Sequence, residues 1–141
     1  MKYKYSVCYP NQEKIQYIDE PITSDQVLSI AKNHNWLEQL QLAKTLGVNN
    51  LYYNPSIAFT AIENNHSIEI TADLNSYEEI EFSIWYKRPK KVKILYGLFG
   101  AQEKLIIDDV WHIDFDQTIQ YLQHFLSEEY QILENLINYK S

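Results

Sequence analysis

Apolar and polar residues alternate one for one at the start of the chain, with Tyr3, Tyr5, Val7 and Tyr9 set against Lys2, Lys4, Ser6 and Cys8. A period of two belongs to a half-buried strand. Pro10-Asn11-Gln12 then turns the chain, and Lys14–Ile18, carrying Ile15 and Tyr17, returns as a hairpin partner. The period changes next. Thr23-Ser24-Asp25-Gln26 reads as a capping box that opens a helix at Val27-Leu28-Ser29-Ile30-Ala31, with Thr23 as N-cap and Gln26 reaching back. A second box, Asn35-Trp36-Leu37-Glu38, predicts that the helix kinks or restarts near Asn33-His34-Asn35. The second segment runs to Leu46 and stops at Gly47, with Leu37, Leu40 and Ala43 or Lys44 as its inner stripe.

The period of two comes back in the middle of the chain. Ile57-Ala58-Phe59-Thr60-Ala61 leads to Asn64-Asn65, a turn whose asparagines tolerate positive φ. Ile68, Ile70 and Ala72 alternate with Ser67, Glu69 and Thr71, and Ile80, Phe82, Ile84 and Tyr86 with Glu79, Glu81, Ser83 and Trp85. Arg88–Lys91 reads as the next turn, with Val92, Ile94 and Tyr96 as the return. After Gly97–Gln102 a further strand begins near Lys104 and runs towards Ile113. Ile119, Leu122, Leu126, Tyr130, Leu133 and Ile137 then recur at helical spacing, which predicts one long amphipathic helix whose start Asp114 or Asp116 can cap. These elements make one α+β domain over residues 1–141. Its expected form is a two-layer antiparallel meander sheet of about five to seven strands, with a helical segment near the N-terminus and the long C-terminal helix packed on one face.

Charge adds a second pattern. Residues 45–86 carry six carboxylates and no Lys or Arg, and residues 105–139 carry seven, again without a base. Between them Lys87-Arg88-Pro89-Lys90-Lys91-Val92-Lys93 holds five of the twelve basic residues. A net charge of −7 argues against nucleic acid or an anionic membrane as partner and favours a basic one. No apolar run approaches the roughly 20 residues of a membrane span, and Met1–Tyr5 lacks the apolar core of a signal peptide. The lone Cys8 rules out an internal disulfide and suits a reducing cytoplasm. If the Ile68/Ile70 and Ile80/Phe82/Ile84 sets face the helices, Glu69, Thr71, Glu79, Glu81, Ser83 and Trp85 project from the other face, as a docking surface or a merely solvated one.

Reactive residue types crowd together in Asp108-Asp109-Val110-Trp111-His112-Ile113-Asp114-Phe115-Asp116. Strand alternation puts Asp108, His112, Asp114 and Asp116 on one side, a set able to bind a divalent metal and hydrolyse a phosphoester. The stronger reading has Trp111, Ile113 and Phe115 anchoring the strand in the core while Asp114 or Asp116 caps the helix. His34, His66 and His124 are not paired in sequence with a nucleophile and carboxylate, Cys8 reads as structural, and the three glycines form no phosphate cradle, so neither catalysis nor a cofactor is expected. The basic segment Lys87–Lys93 is also placed to pair weakly with the acidic face of a second copy.

The acidic stretch Ser56–Ser83 with its Asn64-Asn65 hairpin, and Trp111–Asp116 leading into the last helix, give the chain the general character of bacterial toxin-immunity proteins, which it resembles. The resemblance implies a small cytosolic inhibitor that neutralises a basic toxin by covering it. Glu69, Glu79, Glu81 and Trp85 are the expected contact, and Asp108 and Asp109 a second patch. The alternatives are the metal-dependent hydrolase and the self-associating adaptor.

Overall fold

A computed structural model describes residues 1–93 and 101–140. Strands β1 (Tyr3–Cys8) and β2 (Gln16–Ile22) form the first hairpin, helices α1 (Ser24–Asn33) and α2 (Trp36–Leu46) follow, and β3 (Ser56–Ala61), β4 (Ser67–Leu74), β5 (Ile80–Lys93) and β6 (Ala101–Ile113) come next. Helices α3 (Phe115–Leu126) and α4 (Tyr130–Lys140) close the chain. The strands make one open antiparallel sheet in the order β2-β1-β3-β4-β5-β6. The α+β class and the antiparallel sheet agree with the sequence.

Register explains the core. Val7 faces Ile57, Ile57 faces Ile70, Ile70 faces Ile84 and Ile84 faces Val110, so one row of branched side chains crosses five strands on one face. Each is 5% exposed or less. Val27 and Ala31 of α1, Trp36 and Leu40 of α2, Leu122 and Phe125 of α3, and Leu133 and Ile137 of α4 join the same core. Burying each such apolar side chain contributes about 1.5–3 kcal/mol, so this face outweighs any single polar contact in the molecule.

Local signals set the helix ends. Thr23 Oγ1 accepts from the Gln26 N–H while Gln26 Oε1 accepts from the Thr23 N–H. Asp114 and Gln117 repeat that reciprocal box at the start of α3, which settles which aspartate is the cap. Gly47 ends α2 with φ 78, a left-handed conformation glycine adopts without a Cβ penalty.

Four expectations are corrected. The C-terminal periodicity is not one helix. Glu128 takes φ 58, the Glu129 N–H donates to the His124 carbonyl, and α3 stops there. The break preserves the phase of the apolar stripe, so spacing alone could not show it. In α2 the buried residues are Trp36 and Leu40, whereas Leu37 is exposed, because the Trp36 indole N–H reaches the Ala31 carbonyl at 2.9 Å and fixes which side turns inward.

Arg88–Lys91 is not a turn either. Strand β5 continues to Lys93, pairing Arg88 with Ile106 and Lys91 with Glu103. Pro89 is tolerated because β4 ends its pairing at Lys87, which leaves that side of β5 without a ladder and requires no N–H there. The expected return at Ile94 and Tyr96 lies outside the described residues. Finally, the register of β6 slips by one residue between Val110 and Ile113, where His112 adopts φ 60. That bulge keeps Ile113 buried and leaves Trp111 about half exposed, so Trp111 does not anchor the core.

Candidate functional site

The face of the sheet turned away from the helices carries the polar members of each alternation. Along β4 and β5 they meet in register: Glu69 opposite Trp85, Thr71 opposite Ser83, and Asp73 opposite Glu81. Asp109 lies opposite Trp85 on the other side. Trp85 and Trp111 pack edge to face with ring centroids 5.2 Å apart, and the Trp111 indole N–H donates to Asp109 Oδ2 at 2.7 Å. A half-exposed Trp111, backed by the partly buried Trp85, thus stands on the outer face among carboxylates.

The carboxylates of this rim are not equivalent. Glu69 is paired with Lys87 at 3.1 Å. Glu81 receives His112 Nδ1 at 2.7 Å and Asn75 Nδ2 at 3.1 Å, and the His112 hydrogen bond holds its carboxyl below the usual range. Asp73 caps only its own neighbour, accepting from the Leu74 N–H. Like charges directly opposite across two strands are destabilising, so the Asp73–Glu81 pair is a local cost of the fold. Glu79 does not extend the row. It lies outside β5 in the connection from β4, where its N–H donates to Asn75 Oδ1, and the strand begins only at Ile80. The neighbouring Glu78, at φ 60, pairs with Lys44.

Asp108 belongs to the opposite face. It and Glu134 of α4 grip Arg88 at 2.7 and 2.6 Å, and the guanidinium lies 4.6 Å from the centre of the Tyr86 ring. Arg88 is 5% exposed, and its Nε and Nη1 meet no hydrogen-bond partner among the described residues. Beside it His66 Nδ1 contacts the Tyr86 hydroxyl at 2.8 Å, the Tyr130 ring packs 4.3 Å from His66, and Asn64 donates to the Tyr130 hydroxyl. Burial drives the Tyr86 hydroxyl well above its ordinary range. The chain's only arginine therefore ties sheet to helix. With Lys87 paired to Glu69 as well, the basic segment is less free than its sequence implies.

The four residues singled out as a metal set are dispersed. Asp108 bonds Arg88, His112 bonds Glu81, Asp114 caps α3, and Asp116 is exposed in the first helical turn. Among the described residues no three His, Cys, Asp or Glu side chains are grouped so as to hold a metal ion. Cys8 is half-buried, and burial raises its thiol pKa, the reverse of an activated nucleophile.

Two concavities are lined in part by Asp73. The larger, about 510 Å³, lies between the end of α2, the chain around Val48 and Leu51, and Asp73–Glu78. Leu40, Ala43 and Leu74 line it, with the Lys44–Glu78 pair among its polar residues. The smaller, about 80 Å³, lies where Asp73, Glu81, Thr71, Ser83 and Asn54 meet Trp111 and His112. Sequence reasoning reached Glu69, Glu81 and Trp85 through alternation. It did not place Asp73 on this face, and it assigned Trp111 to the core and His112 to a metal set; the signal for Asp73 was present, since Ala72 between Thr71 and Asp73 continues the same strand. No helix among the described residues is long and apolar enough to cross a membrane. No family model, no curated protein and no solved structure matches the chain.

Proposed function

We propose that this protein is a non-enzymatic binding module that captures a basic protein partner on the outer face of its sheet, in the manner of an immunity protein that covers a toxin. The observation that carries this reading is the Trp85–Trp111 pair, with Trp111 half exposed, Asp109 bonded to its indole and Asp73 and Glu81 beside it in one cleft. Tryptophan is enriched among the few residues that dominate interface energies, and surrounding charges steer association more than they strengthen it. A basic, nucleic-acid-directed toxin would meet this surface with the groups it uses for phosphate.

The test is expression of the chain with the basic toxin domain encoded beside its own gene. Cells should be protected, the association rate should fall steeply with salt, and Asp109→Lys with Trp85→Ala should abolish protection while the fold persists. Protection that survives this double change, or a neighbourhood without a basic toxin domain, overturns the reading.

A further inference from the structure

We propose that the small cleft between β4, β5 and the β6 bulge is a receptor for a single arginine side chain of the partner. This rests on the reading of the outer face as the docking surface. The cleft measures about 80 Å³, whereas pockets for drug-sized molecules run from about 300 Å³ upward. Its size suits the head of one side chain.

Its chemistry asks for a cation. Asp73 and Glu81 stand directly opposite each other, and no Lys or Arg among the described residues pairs with either. His112 and Asn75 each meet one oxygen of Glu81, and neither supplies a Lys or Arg charge. The adjacent register pair, Thr71 and Ser83, supplies two hydroxyls at the same cleft. Ser83 is 5% exposed and lines the cleft. A hydroxyl at the cleft can accept a hydrogen bond from an incoming donor.

The shape of the acceptor set selects arginine over lysine. Carboxylates and hydroxyls arranged around one small space match the five planar donors of a guanidinium, where an ammonium offers three donors from a point. Trp111 forms one wall, and an indole is the best ring partner for a stacked cation. The strained backbone of His112 has a role in this arrangement. Its φ of 60 shifts β6 by one residue, which puts Trp111 at the cleft while Ile113 stays in the core, and its imidazole fixes the Glu81 carboxylate.

The experiment titrates the full-length, isotope-labelled protein with L-argininamide, with L-lysinamide and calcium chloride as competitors for the same site. The expected result is saturable, millimolar binding that shifts the Trp111 indole N–H and the Ser83 amide. Asp73→Asn combined with Glu81→Gln should weaken it at least tenfold, Thr71→Val should weaken it several-fold with all charges kept, and lysinamide should bind more weakly. Absence of a saturable shift, binding unchanged in Asp73→Asn/Glu81→Gln, or displacement by micromolar calcium overturns the proposal. The two readings fail separately. Protection lost through Asp109 and Trp85, with argininamide not bound, removes the arginine cleft alone; argininamide bound without any toxin protection removes the immunity reading alone.

Discussion

Two pairs of carboxylates stand on opposite faces of the same sheet and meet opposite fates. On the inner face Asp108 and Glu134 share Arg88, which is buried and stacked on Tyr86. On the outer face Asp73 and Glu81 confront each other, with an exposed histidine and Asn75 at Glu81 and no Lys or Arg at either among the described residues. Burial explains the contrast. A charge taken out of water must be paired within the fold, whereas a charge left in water can stay unmatched at small cost and remain available to something else. The teaching is that a run of acids in a sequence has no single meaning. Asp108, Glu134 and Asp114 serve the architecture through a salt bridge and a cap, whereas Asp73 and Glu81 have no Lys or Arg partner among the described residues.

The largest expected effect comes from breaking the inner pair. Arg88→Met should cost roughly 3 kcal/mol in urea unfolding, because two carboxylates lose the cation they share at a buried junction. Adding Asp108→Asn and Glu134→Gln should recover much of that loss. A cost below about 1 kcal/mol would place the inner acids in the same weak class as surface pairs. Next comes the polar cluster beside it. Tyr86→Phe removes the hydroxyl that meets His66, and a loss of about 1 kcal/mol is expected from the hydrogen bond.

The inner face also carries a pH response. Burial holds the folded-state pKa of His66, with Arg88 adding to it, and that of His34 below the ordinary value of 6.5. The unfolded chain therefore binds more protons in mild acid, so stability is full above 6.5 and falls as pH drops through that value towards the folded pKa values. Urea midpoints should fall between neutral pH and mild acid, and His66→Phe should flatten that slope. Glu78 and Glu81 respond in a separate window. Their hydrogen bonds to Lys44 and His112 lower their pKa, so their contribution is present above 4.5 and is lost only as pH falls below it.

Smaller effects belong to the outer face. His112→Gly should raise stability by roughly 0.5 kcal/mol, since glycine takes the left-handed conformation freely and the exposed bond to Glu81 is weak. A loss above about 1 kcal/mol would mean that the imidazole supports the fold rather than the cleft.

Alternation made much of this legible. Ile57, Ile68, Ile70 and Ile84 face inward as their spacing demands, and Thr23 and Gln26 form the box that their order announces. The failures share a physical origin, because each depends on tertiary partners. The bulge at His112 exists because Ile113 is drawn into the core, and no local residue marks it. Arg88 reads as a solvated base until the strand is seen to continue past Pro89 and α4 brings Glu134 to it. The break between α3 and α4, where Glu128 takes a positive φ, is silent because the apolar phase resumes unchanged in α4. The cleft needs β4, β5 and β6 in register at once, so alternation reached Thr71, Glu81 and Ser83 but not their meeting with Trp111 and His112.

The most direct test sets the two faces side by side: equilibrium urea unfolding of Asp73→Asn and of Asp108→Asn under identical conditions. The expected result is a loss of about 2 kcal/mol for Asp108→Asn, and for Asp73→Asn no loss or a gain of up to about 0.5 kcal/mol as like charges separate. Equal losses in the two variants would contradict the division of labour between the faces, because the outer carboxylates would then serve the fold.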